Sequence, residues 1–236
     1  MKLKACFVVF LSIVFFTSCA SHKAARQPDL SFDLQAQENK VENNGIVLMV
    51  KVFHLKSELK SYFDDDLLLY GILPVQMNLH NKSYGKTVLF NTDGINLMDP
   101  TGARNPVMSL DQVMDKVEKS FWRTAGWGVA FGCLGAIPSA INVDRTNEKI
   151  RADYESRILK SGNLISGGVT EGLIYFSVPE DITSLSGWKI CVILKDMESR
   201  EDIILDYGLS GTIVSPKERI RERNEAVQEA TEKGNM

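Results

Sequence analysis

Between residues 45 and 215 the apolar positions fall mostly in short runs with a period of two, broken once by a helical stretch. The run 45–54, GIVLMVKVFH, follows Asn43-Asn44-Gly45, a turn signal, and predicts a strand. Residues 56–71 predict a short helix followed by an extended piece. In 72–81, Val75, Met77 and Leu79 alternate with Gln76, Asn78 and His80, which predicts one buried and one wet face. Pro74 suits the beginning or the edge of that strand. The pieces 86–91 and 95–99 flank Thr92-Asp93-Gly94, which predicts a tight hairpin, and Asp99-Pro100-Thr101-Gly102 predicts another turn. Strands resume at 172–179, 187–196, 202–208 and 211–215; in the second, Trp188, Ile190, Val192 and Leu194 form the apolar row.

The interruption is helical. Ser109 and Gln112 make a capping box, S-x-x-Q, ahead of 110–122, where Leu110, Val113, Met114, Val117 and Phe121 share one face. In 144–162, Ile150, Tyr154 and Ile158 recur every four residues and Gly162 is a C-terminal stop. Between these helices lies 126–141, GWGVAFGCLGAIPSAI, which has no charge. About twenty residues are needed to span a bilayer as a helix, and Arg123 and Asp144 close the run at either side. Four glycines and Pro138 weaken it further as a helix. Gly128 and Gly132 form a GxxxG strip that lets another backbone approach closely. The segment is expected to pack inside the domain; a self-association or partner surface, or entry into a bilayer, are the other readings.

Short strands separated by turns predict a mainly β chain with inserted helices: an antiparallel β-sandwich over 45–215 with a helical, glycine-rich insertion at about 108–162. In pattern it is similar to small immunoglobulin-like domains of exported lipoproteins, without the diagnostic Cys…Trp…Cys spacing. Residues 216–236 are a charged tail of mixed sign, expected as a frayed helix or disordered.

The first residues change the picture. Lys2 and Lys4 precede a twelve-residue apolar run, 5–16, which is too short to span a membrane and suits a secretory signal. Thr17, Ser18 and Cys19 follow. This order of charge, apolar run, small residues and cysteine resembles the lipobox of bacterial lipoproteins, although Phe16 stands where the family usually has Leu. The resemblance covers about twenty residues. It implies a signal peptide at 1–18, diacylglycerol and palmitate on Cys19, and a lipid-anchored mature protein. Ala20 after the cysteine favours the outer membrane facing the periplasm, or the cell surface. Residues 19–44 then carry the lipidated cysteine and a polar, flexible tether that reaches about 25–30 Å.

Charge and composition limit the chemistry. The formal charge is −3, and loss of 1–18 removes two lysines and no acid, giving −5. No basic stripe appears, so nucleic acid is not an expected partner. Cys6 leaves with the signal; Cys133 and Cys191 sit in apolar runs and read as buried thiols, with a disulfide as the alternative. His22, His54 and His80 are scattered, and no metal-ligand spacing is present. Asp64-Asp65-Asp66 reads as a solvated loop or helix end, because consecutive side chains diverge. Asp93 and Asp99 read as turn residues. No nucleophile elbow, phosphate loop or S-x-x-K occurs. The expectation is therefore a non-catalytic binding or assembly module of the cell envelope, without cofactor. Its expected contacts are the membrane through Cys19, an envelope protein partner and a possible homo-oligomer. The alternative is a membrane-active or oligomer-forming lipoprotein that uses 126–141.

Overall fold

The computed structural model describes residues 40–117 and 137–234, the side chains of 137–146 and 230–234 excepted. Within them the chain forms two antiparallel sheets. Sheet A has the order β1 (Lys40–Asn43), β2 (Ile46–Val52), β3 (Ile72–Asn81) and β7 (Val169–Ser177). Sheet B has the order β5 (Arg104–Pro106), β4 (Val88–Met98), β8 (Lys189–Asp196) and β9 (Asp202–Gly208), and β6 (Gly162–Leu164) also pairs with β4. The helices are α1 (Lys56–Phe63), α2 over 110–117, α3 (Ile137–Arg157) and α4 (Pro216–Gly234), with a 3-10 turn at Leu67–Tyr70. A mainly β fold with helices is what the pattern predicts.

One apolar cluster joins these layers. Leu48, Val75, Met77 and Ile174 of sheet A and Phe90, Leu97, Ile190 and Val192 of sheet B belong to it, all at most 2 % exposed. The other face of sheet A lies under helices. Phe53 and Tyr175 on that face meet Phe63 of α1 at ring-centroid distances of 5.5 and 6.3 Å, and Tyr154 of α3 stacks on Tyr175 at 5.7 Å. Helix α2 opens as its capping box requires: Ser109 N–H donates to Gln112 Oε1 at 2.8 Å, and Gln112 N–H to Ser109 Oγ at 3.2 Å. Val113, Met114 and Val117 are buried as its periodicity predicts.

Several expectations change. The tether ends earlier than residue 44, because Lys40–Asn43 pairs with β2 as a strand. The joining Asn44-Gly45 has φ of +50° and +76°, the hand of turn that matches strand twist. Gln76 and Asn78 do not face water: they are 1 % and 6 % exposed, so the face that alternation alone reads as wet is covered. Thr92-Asp93-Gly94 is not a hairpin. β4 runs through it, with a bulge against β8 between Phe90 and Ile95. A Cβ on Gly94 would lie 2.6 Å from the Ile193 carbonyl oxygen, so glycine permits the close passage of the two strands. The helix expected over 144–162 ends at Arg157, and Gly162 begins β6 instead. Residues 211–215 form no named strand; Thr212 makes one isolated bridge, with Ser184.

The charged tail is helix α4, and its first turn is locked into the domain. Ser215 Oγ accepts the Glu218 N–H at 3.2 Å, and Pro216 occupies the first helical position, where no N–H is needed. One turn in, Arg219 is 2 % exposed. Its Nη1 donates to Asp66 Oδ2 at 2.6 Å, Nη2 to the His54 carbonyl at 2.6 Å, and Nε to the Val214 carbonyl at 2.9 Å. Asp66 is 1 % exposed, so the reading of 64–66 as a solvated loop fails at this residue. Removing one partner of a buried pair leaves an uncompensated charge, whereas replacing both can be nearly neutral. Arg219→Ala is expected to lose about 3–5 kcal/mol in urea unfolding, and Asp66→Leu/Arg219→Met to recover much of that loss.

Candidate functional site

A recess lies where the helical insertion leaves the sheets. β6 pairs with Val88–Phe90 and β5 with Asn96–Met98, so residues 91–95 have no strand on that side. The chain departs beside this gap and returns to it. On departure Val107 bridges Phe176 and Met108 N–H donates to the Tyr175 carbonyl at 2.8 Å; on return Leu159 N–H donates to the Leu173 carbonyl at 2.9 Å. Between the two stitches is a cavity of about 300 Å³, with apolar walls from Val107, Met108, Ile158, Leu159 and Ile174. Thr92, Asp93 and Ser109 supply polar atoms. Each of these already serves the fold. Asp93 Oδ2 accepts from Asn91 Nδ2 at 3.3 Å, Thr92 N–H donates to Ser161 Oγ at 3.0 Å, and Ser109 caps α2. No nucleophile is paired with a base among them. The recess can hold an apolar group.

A second cluster sits under the helices. The Arg157 guanidinium lies 5.5 Å from the ring centroids of both Phe63 and Tyr154, and its Nη1 donates to the Tyr62 carbonyl at 2.7 Å. It also pairs with Asp153. The Tyr154 and Tyr175 hydroxyls are buried and lack a hydrogen-bond partner. Burial drives both phenols upward from their ordinary value, so they stay protonated at neutral pH and cannot act as bases.

The third feature is one end of the two sheets. By register, the β1–β2, β3–β4, β6–β7 and β8–β9 loops all lie there. Lys82 N–H donates to the Gly45 carbonyl at 2.7 Å, Ser166 Oγ to the Ser83 carbonyl at 2.6 Å, and Met197 N–H to the Thr87 carbonyl at 3.0 Å. The buried Asn81 amide donates to the carbonyls of Lys86 and Leu164, both at 2.9 Å. Asp196 accepts the Glu198 N–H at 2.9 Å and Lys86 Nζ at 3.1 Å. These bonds, the Glu198 N–H first, hold its carboxyl below the ordinary 3.8.

The residues singled out by sequence do not converge. Cys19, Gly128, Gly132, Cys133 and His22 lie outside the described residues. His54 lends its backbone carbonyl to Arg219, while His80 is half-buried at the end of β3. Asp99 forms the expected turn, accepting from Thr101 and Ala103, and these bonds lower its carboxyl. Cys191 is a buried free thiol, as its apolar run predicts. Burial, and then a hydrogen bond to Asp206, raise it, which leaves it a poor nucleophile. Lys189 Nζ holds Asp206 at 2.8 Å and lowers its carboxyl. Among the described residues no group of three or more His, Cys, Asp or Glu is placed to hold a metal ion, and no helix is long and apolar enough to cross a membrane. The buried Arg219 and the knitted loop end were missed. The first had a signal, Ser215-Pro216-Lys217-Glu218, a capping box inside the supposed tail; the second depends on register, which turn residues do not reveal.

No family model matches the chain, and no curated protein matches it. Among solved structures it is similar to the crystal structure of the yjhA protein from Bacillus subtilis, at 13% identity and a TM-score of 0.37, over 71% of this chain and 95% of that one. A likeness of that degree leaves function to be argued from the chain itself.

Two outcomes test this geometry. A Cβ at Gly172 would lie 2.6 Å from the Leu159 backbone, so Gly172→Ala should push the returning chain off β7. A loss of about 1–3 kcal/mol in urea unfolding is expected, with faster amide exchange at 158–164. The depressed carboxyl of Asp196 contributes stability that is complete above 3.8 and disappears as pH falls through its lower folded value. Urea midpoints of the parent and Asp196→Asn should therefore differ at pH 7 and converge at the acid end of a titration.

Proposed function

We propose that the chain is a lipid-anchored protein of the bacterial cell envelope, and that its domain works by binding or assembly rather than by catalysis. The observation that carries this reading is the order of features over residues 1–19: two lysines, a short apolar run, Thr17-Ser18 and Cys19. Acyl chains contribute about 0.8 kcal/mol per buried methylene, and two or more anchor a protein stably to one leaflet. The polar stretch after Cys19 then supplies reach, and the domain supplies surfaces. In this reading the two sheets form an immunoglobulin-like sandwich. Support comes from the shared core between the sheets, from loops knitted into one end, and from polar groups in the cavity that are spent on structure.

The test is metabolic labelling with a palmitate analogue. Label is expected on the parent and absent from Cys19→Ala, which should also move from the membrane fraction to the soluble fraction. An unlabelled parent found in the soluble fraction defeats the reading.

A further inference from the structure

The loop end described above has one more property. Its tips carry large apolar side chains turned outward: Tyr84 is 100% exposed, Ile165 63%, Val169 55% and Met197 50%. Three sit on three different loops, and Val169 opens β7 beside them. Mobile loops could tuck such groups away, but these loops are bonded to one another and to the buried Asn81, which holds the tips out. The opposite end of the sheets is different. There α1, the 3-10 turn and the buried Arg219–Asp66 pair cap sheet A, and a single loop-tip apolar side chain of comparable exposure, Leu55 at 51%, stands at the start of α1.

We propose that this end is a membrane-contact surface, in which Tyr84, Ile165 and Met197 enter the boundary between headgroups and acyl chains. Three observations select a bilayer as the occupant. The tips are separate projections, which suit a soft medium that closes around each of them. Their neighbours are of mixed sign, with Lys82 and Arg200 beside Glu198 and Glu201, so nothing selects an anionic partner, and aromatic and aliphatic tips are the groups that favour an interface. The chain enters β1 at Lys40, which pairs with Met49, three residues from Ile46 at this end. At about 3.4 Å per residue that is roughly 10 Å, while a coil of the length between Cys19 and Lys40 reaches about 25 Å. The nearness of a leaflet rests on the lipid-anchor reading; the apolar tips do not.

The test places a photoreactive benzophenone side chain at position 84, 165 or 101 of the full chain in cells. Thr101 is exposed at the other end of β4 and serves as the control. After irradiation, adducts are identified by mass. Phospholipid adducts at 84 and 165 at least three-fold above those at 101 are expected. Equal yields at the three positions, or a protein adduct in place of lipid at 84, would overturn the proposal. Fractionation of the same cells reports on the anchor separately. If the parent is soluble, the labelled chains are mixed with phosphatidylcholine vesicles, and the same comparison decides.

Discussion

β3 is buried on both faces, and the arrangement of the molecule follows from that. Val75, Met77 and Leu79 on one side require sheet B. On the other side Phe53, just after β2, and Tyr175 of β7 flank Pro74, and they require an apolar cover. Helices α1 and α3 supply it with Phe63 and Tyr154. The cost is visible in polar atoms beneath that layer. Gln76 Nε2 and Asn78 Oδ1 are buried without partners, and each such group costs about 1–3 kcal/mol. The fold tolerates them because the large side chains around them each gain a comparable amount on burial.

The same constraint decides where the insertion attaches. A helical layer over sheet A has to leave the sheets and come back, and both crossings are made beside β7. Val107 and Leu159 hold that edge in place of a further strand. The cavity is the space left between the two crossings. Its polar groups are tied to turns and caps, so it belongs to the architecture of the joint first.

Much of this was legible in the sequence. Alternation in 189–196 reads directly into β8, because Ile190, Val192 and Leu194 meet the core while the other face is only partly covered. The S-x-x-Q box reads directly into the start of α2, because capping is a local interaction. Where longer-range contact decides, local pattern misleads. Thr92-Asp93-Gly94 has the composition of a hairpin, yet turn formers also make bulges, and the approach of Ile193 is not written nearby. Gln76 and Asn78 look wet in the sequence, and only the folded chain shows them buried. Arg219 sits among nine other charged residues between Lys217 and Lys233 and looks like its neighbours. Asp66 and the His54 carbonyl, 153 and 165 positions earlier, distinguish it. The candidate surface was less legible still, since Tyr84, Ile165 and Met197 share an end only through strand register.

Helix α4 has 19 residues, and those from 221 to 229 are exposed, while Arg219 fixes its first turn. A rod of that length is about 28 Å long. The Lys56–Glu222 ion pair adds a tie one turn further on, so the three bonds of the guanidinium and that pair together set the direction in which the arm leaves the domain.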